Sequence, residues 1–230
     1  MARHRIDFVP GSADRGDFDA TSTTIALSPG GLEHPPREAL AATFERYWQE
    51  FVARRDGKRD WDAYTPYEWR TVGSFIRLGW RERAQALVDF FMADRRPAAW
   101  NQWAEVVGKD PRKPRFVGDM PHAWVAADFI RSALDMFAYA RERDGALVLA
   151  AGVPEAWLEG SGISVAGLRT PWGRVDYSLR REGARFVIVI AADTVIPPGG
   201  LVVRCSEGGE TRITRIPSRT IIPNRCSGSP

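Results

Sequence analysis

The hydrophobic period of the chain changes once, near Gly145, and this change limits the folds that the chain can adopt. Before it, large apolar residues recur at steps of three and four, which is typical of amphipathic helices. After it, short runs of β-branched residues alternate with polar residues between Gly, Pro and Asp, which is typical of strands and turns. A helical block followed by a strand block predicts an α+β fold of two packed modules, because a parallel α/β sheet would alternate the two patterns.

The helical block is predicted to hold five helices after an ordered or extended entry of about thirty residues. Prolines at the first turn and glycines at the end mark their limits, as with Thr65, Pro66 and Gly79. Glu68, three residues after Thr65, is typical of a capping box. The predicted helices cover residues 35–56, 65–79, 80–95, 98–108 and 121–144.

The strand block is predicted to form an antiparallel, sandwich-like sheet domain. We place the helical domain at 1–145, the β domain at 146–204, and a tail at 205–230 that adds little ordered structure because it has few large apolar residues. Cys205 and Cys226 lie in that tail either as a disulfide or as two free thiols. The predicted strands cover residues 147–149, 163–165, 174–179, 186–190 and 201–203.

Composition excludes several classes of function. Of 230 residues, 44% are hydrophobic and 27% charged, and the net charge of +3 is spread among alternating Arg and acidic residues, so no nucleic-acid-binding face is expected. No stretch is apolar enough to span a membrane. Without a signal core the chain as given is expected in the cytoplasm, and a longer chain with an upstream signal would be secreted or periplasmic. The three histidines lack ligand spacing, so no metal and no cofactor are predicted.

Two polar-aromatic clusters, at residues 100–105 and 118–124, are the strongest functional signal. Indole faces pack against the C–H face of a sugar ring, while amides and carboxylates bind its hydroxyls, so the clusters predict a carbohydrate partner. The alternative is that each Trp belongs to the core, as Trp at helical spacing usually does.

Four segments resemble the six-hairpin, or (α/α)6-barrel, glycosidases, most nearly the α-L-rhamnosidase-like proteins. They are residues 21–27, 100–103, 120–124 and 147–157. The resemblance implies the end of an (α/α)6 barrel followed by a β-sandwich, and inverting hydrolysis of a glycosidic bond as part of a larger barrel. Asn101 stands where the family has its Glu base, and the family's general acid lies upstream of everything matched here.

Glu105 is the predicted catalytic residue, a relocated base one helical turn from Asn101 and partly desolvated by the flanking tryptophans. Its alternative role is a surface Glu paired with an Arg. Asp17 and Asp19 could equally serve a turn or helix entry, and His122 could equally cap or pack. The predicted substrate-binding residues are Trp100, Asn101, Trp103, Asp119, His122, Trp124, Asp17 and Asp19.

Two alternatives to a hydrolase stay open. The chain could bind sugar without cleaving it, since Asn101 cannot take a proton at neutral pH. It could also be a truncated remnant whose exposed helical faces self-associate.

Overall fold

The computed structural model describes residues 1–28, 35–113, 115–205, 209–216 and 220–223. It confirms a mixed α+β class. The helices of these ranges are α1 (Ala20–Leu27), α2 (Arg37–Arg55), α3 (Trp69–Leu78), α4 (Arg81–Ala93) and α5 (Ala123–Phe137). The strands are β1 (Ala63–Tyr64), β2 (Val107–Gly108), β3 (Ala138–Arg141), β4 (Ala146–Leu149), β5 (Ile163–Thr170), β6 (Gly173–Glu182), β7 (Arg185–Ile190), β8 (Leu201–Arg204), β9 (Glu210–Ile213) and β10 (Thr220–Pro223).

The chain divides into two compact units, Met1–Ala133 and Leu134–Pro230. The first holds α1 to α4, most of α5 and the short strands β1 and β2. The second holds β3 to β10.

In the first unit, α3 is buried around nearly its whole circumference. Such a helix must be covered by other elements, and α1, α2 and α4 all contact it. Gly79 ends α3 in the left-handed region at φ 87°, which lets Trp80 begin the next helix immediately. The predicted boundaries of this helical pair therefore agree closely with the structure.

The capping box predicted at Glu68 is wrong. Thr65 does cap, since its Oγ1 accepts from the Tyr67 amide at 3.3 Å. The Glu68 carboxylate instead accepts two hydrogen bonds from Arg54, at 2.8 and 2.7 Å. A buried carboxylate needs a partner charge, and a bidentate guanidinium satisfies both of its oxygens.

The helix predicted at 98–108 is also wrong. Only a 3-10 turn, Ala98–Trp100, forms there, and Asn101 ends it at φ 51°. The chain then becomes extended, and Val107 pairs with Tyr64 between β2 and β1. Short helices gain little from their own hydrogen bonds, so pairing with another segment prevails.

α1 and β3 are further differences from the prediction. α1 lies in the region predicted as a loop, and α5 ends at Phe137 rather than near Asp144. β3 follows directly and pairs antiparallel with β4, which buries Ala138 and Tyr139. The sheet therefore takes over the last residues of the predicted helix.

The second unit contains two four-stranded sheets with the orders β10-β7-β6-β5 and β3-β4-β8-β9. All pairs are antiparallel except β4 with β8, which departs from the fully antiparallel prediction. On β6, Val175, Tyr177 and Leu179 alternate inward, as period two requires. Side chains of both sheets contribute to one hydrophobic core. Each of the five predicted strands lies within an observed one.

The segment 205–230 contains more structure than its composition predicts. β9 pairs with β8 and β10 pairs with β7, and they bury Ile213 and Ile222 respectively. Single large apolar residues are enough to attach a strand to a sheet edge that is already formed. Cys205 is buried, and Cys226 lies outside the described residues.

Among the helices of the described ranges, none combines the length and apolar character that crossing a membrane requires.

Candidate functional site

Main-chain hydrogen bonds join the two polar-aromatic clusters of the sequence. The Glu105 amide donates to the Asp119 carbonyl at 3.1 Å, and the His122 amide donates to the Trp103 carbonyl at 3.3 Å. Between them, the Val106 amide donates to the Val117 carbonyl at 3.0 Å. Residues 103–106 therefore lie against residues 117–122, and side chains from both segments meet.

Glu105 is also fixed on its other side. Its carbonyl accepts from the Thr65 hydroxyl at 2.9 Å. Gly118 lies beside it at φ 67°, and a Cβ built there would overlap the Glu105 carboxylate. A glycine is required at this position both for the backbone angle and for the space that the carboxylate occupies.

His122 lies directly before α5, where its carbonyl accepts from the Ala126 amide at 3.1 Å. Its residue surface is only 8% exposed. Its Nε2 lies 2.5 Å from the Tyr67 hydroxyl, and the two rings are nearly perpendicular. Its Nδ1 is buried and has no hydrogen-bond partner, which is unusual for a polar atom in a folded protein.

Glu105, Asp119 and His122 each offer one ligand atom, and these three atoms lie within 4.8 Å of one another. We call these three residues together with Tyr67 the Glu105 cluster. The Asp119 side chain is 83% exposed, and its Oδ2 lies 3.8 Å from His122 Nδ1. Two carboxylates and an imidazole are a chemically competent ligand set for a divalent cation, although the histidine spacing in the sequence predicted no metal.

Tyr67 was not predicted as a site residue, because its position fits the apolar face of a helix. Burial and the negative charge of Glu105 raise its pKa, against the opposing charge of Arg70, so its hydroxyl keeps its proton at neutral pH. The Arg70 guanidinium lies 4.8 Å from the Tyr67 ring centroid and donates to Asp128 at 2.7 Å. Burial raises the pKa of Asp128 by more than Arg70 lowers it.

Trp124 lies beside the cluster with 68% of its surface exposed. Its ring centroid is 6.2 Å from that of His122 and 6.3 Å from that of Tyr67. The structure therefore brings four predicted site residues together: Glu105, Asp119, His122 and Trp124.

Trp103 does not serve as a binding platform. It is 3% exposed, its indole N–H donates to the Phe91 carbonyl at 2.9 Å, and its ring packs against Trp69 and Phe129. The core alternative therefore holds for this residue, and its indole does not shield Glu105 as expected. The physical reason is that residues 102–106 form no helix, so the one-turn relationship between Asn101 and Glu105 does not exist.

The other predicted residues have separate local contacts. Trp100 is 60% exposed at the end of its 3-10 turn, and the Asn101 side-chain oxygen accepts from Arg95. Asp19 caps α1 by accepting from the Ser22 amide at 3.2 Å. Asp17 accepts from the Ser12 amide at 3.0 Å in a turn. These contacts are the turn and helix-entry roles that were the alternative for the two aspartates.

The Glu105 cluster lies outside a large hollow in the first unit. That hollow has a volume of about 850 Å3 and includes Trp61, Phe116 and Lys109 in its lining. Two of its charged pairs contact each other, Lys109 with Asp60 at 2.6 Å and Arg115 with Asp62 at 3.4 Å. The unpaired Nδ1 of His122 makes the Glu105 cluster the stronger candidate.

Comparisons with protein-family models, with curated proteins and with solved structures found no match to this chain.

Proposed function

We propose that the protein is a carbohydrate-active module that binds a saccharide at the Glu105 cluster. The supporting observation is that the exposed Trp124 indole lies 6.2 Å from the His122 ring, centroid to centroid, and that His122 in turn converges with the carboxylates of Glu105 and Asp119. The indole provides a flat apolar face for the sugar ring, and the carboxylates accept hydrogen bonds from its hydroxyls. In this proposal the helical unit is the end of a six-hairpin barrel, for which the α3–α4 pair is the clearest element.

The spacing of the carboxylates favours binding over inverting hydrolysis by this pair. An inverting enzyme holds its two carboxyl groups about 6.5–9.5 Å apart to admit a water. An oxygen of Glu105 and one of Asp119 lie within 4.8 Å of each other. Hydrolysis with Glu105 as the base stays a prediction that requires an acid from outside the Glu105 cluster.

The test is calorimetric titration of the full chain with a panel of mono- and oligosaccharides, repeated with Trp124→Ala. Loss of one stacking platform removes about 1 kcal/mol or more, so we expect affinity to fall about fivefold or more. Trp100→Ala is the matched control, because Trp100 is also an exposed tryptophan, at 60%, and makes no ring contact with the Glu105 cluster in the described ranges.

Equal affinity of Trp124→Ala and the unaltered chain would refute the placement of the site, and absence of binding across the panel would refute the function. For any glycoside that is bound, Glu105→Gln distinguishes the two activities. Loss of turnover with retained binding would establish hydrolysis, and no turnover in the unaltered chain would leave binding as the function.

A further inference from the structure

The imidazole of His122 shows an arrangement that metal-binding histidines share. Such histidines usually donate one ring N–H to a neighbouring acceptor, which fixes the tautomer and directs the other nitrogen at the ion. Here the Tyr67 hydroxyl lies 2.5 Å from Nε2, where it can accept such a hydrogen bond. In that tautomer Nδ1 carries the lone pair, and this atom is buried and has no hydrogen-bond partner among the described residues.

The atom that Nδ1 approaches is a carboxylate oxygen, Asp119 Oδ2, at 3.8 Å. That distance is too long for a hydrogen bond, and in the tautomer with Nε2 protonated two lone pairs face each other, a repulsion that a cation between them would relieve. Glu105 adds a third ligand atom within 4.8 Å of the other two. Three groups that each favour a cation therefore converge, and no side-chain cation of the described ranges is shown bonded to them.

We propose that Glu105, Asp119 and His122 bind one divalent cation of the zinc and manganese class. An imidazole with two carboxylates suits these ions, whereas calcium and magnesium prefer ligand sets made of oxygen alone. Metal–ligand bonds of about 2.0–2.2 Å place neighbouring ligand atoms roughly 3.3 Å apart, so ligand atoms that now lie within 4.8 Å of one another must close by up to about 1.5 Å. Asp119, with its exposed side chain, can make this adjustment by rotating.

The main chain already holds the ligands close to this geometry. The Glu105 amide donates a hydrogen bond to the Asp119 carbonyl, so the backbones of these two ligands lie side by side. The His122 backbone amide donates a hydrogen bond to the Trp103 carbonyl, and the His122 ring contacts the Tyr67 hydroxyl. These two contacts fix its position. Three protein ligands leave at least one coordination position open. A saccharide hydroxyl would bind there, a step that rests on the proposed function.

The test is titration of the chelator-treated full chain with Zn²⁺ and with Mn²⁺ in the absence of any saccharide. We expect one equivalent to bind, and thermal stability to rise with the ion because it binds only the folded chain. Asp119→Asn and His122→Gln should each weaken binding by about a hundredfold or more. Tyr67→Phe, which removes only the acceptor of the Nε2 proton, should weaken it by about 10–100-fold.

The matched control is His4→Gln. The His4 Nε2 is hydrogen-bonded to the Ala13 carbonyl, and His4 lies outside the Glu105 cluster. This variant should bind the ion like the unaltered chain. Asp119→Asn is decisive if His122→Gln does not fold, because Asp119 is exposed. Absence of binding, or undiminished binding by Asp119→Asn, would overturn the proposal. Saccharide binding measured in chelator tests the proposed function separately, so either can fail alone.

Discussion

The buried ion pair between Glu68 and Arg54 gives the sharpest prediction about the stability of the helical unit. Glu68 is 7% exposed, and its carboxylate also accepts from the Tyr47 hydroxyl at 2.5 Å. Glu68→Gln keeps the shape and one acceptor oxygen but turns an NH2 group towards the guanidinium. Arg54 then loses both its counter-charge and one hydrogen bond.

Removing one partner of a buried pair typically costs about 3–5 kcal/mol, because the other charge stays buried without compensation. The Arg54 side chain is 14% exposed, so some water reaches it. Its guanidinium also keeps its cation–π contact with the Tyr64 ring, whose centroid lies 4.6 Å away. We therefore expect a loss of about 2–4 kcal/mol in the free energy of unfolding.

Urea unfolding followed by tryptophan fluorescence is a suitable assay, because most of the tryptophans lie in Met1–Ala133. Glu50→Gln is the surface control. Glu50 contacts Arg46 at 3.2 Å in an exposed i,i+4 pair on the same helix as Arg54, and its loss should cost under about 1 kcal/mol. The triple variant Tyr47→Phe, Arg54→Met and Glu68→Leu should recover most of the loss, since an apolar set needs no counter-charge and leaves no buried Tyr47 hydroxyl without its acceptor. A cost for Glu68→Gln no greater than that of the surface control would refute the reasoning.

Two further predictions concern Gly118 and Asp144. Gly118→Ala should destabilise the chain by more than Gly57→Ala, because both glycines lie near φ 70° but, of the two, only Gly118 places the new Cβ against a side chain. Calorimetric melting of both variants measures the difference in melting temperature. Equal shifts would contradict the overlap with Glu105. For Asp144, burial raises the pKa, but the hydrogen bonds from Arg141 and Arg212 outweigh this effect and lower the pKa to about 2. This contribution to stability, about 1–2 kcal/mol after allowance for solvent screening, is present above pH 4 and is lost as the pH falls towards 2. Urea unfolding of Asp144→Asn should therefore differ from the unaltered chain at pH 6 and converge with it near pH 2, and a difference that persists at low pH would exclude the carboxylate as its source.

The strands of the second unit could be predicted because burial on one face leaves a direct trace in the sequence. β6 alternates inward and outward from Val175 to Leu179, and the turn at Gly183 separates it from β7. β9 and β10 could not be predicted in the same way. Each contributes one fully inward apolar residue, Ile213 or Ile222, and depends on a neighbouring strand that already exists.

α1 escaped prediction for a related reason. Its sequence is rich in Thr, which is a weak helix former, and it has almost no amphipathic pattern. The signal that was present is the cap: Asp19 accepts from the Ser22 amide, as an N-cap residue does. This capping pattern is the sequence signal for α1, and it assigns Asp19 to the start of the helix.

The residue types of the Glu105 cluster could be predicted, but their convergence could not. Glu105, Asp119 and His122 stand out by chemistry, whereas the contact between them depends on which residue of 103–106 pairs with which residue of 117–122. Register is normally visible as period-two alternation, and a slip by one residue would turn Glu105 to the opposite face. Here Trp103 and Ala104 are buried in succession, so the segment shows no alternation and resembles a helix. The register is instead held by main-chain bonds and by Gly118, which leaves room for the carboxylate. A helix would have placed Glu105 near Asn101. The observed pairing of the two segments places it beside an imidazole seventeen residues further along, and this difference changes the chemistry expected of the site from a lone base to a ligand set.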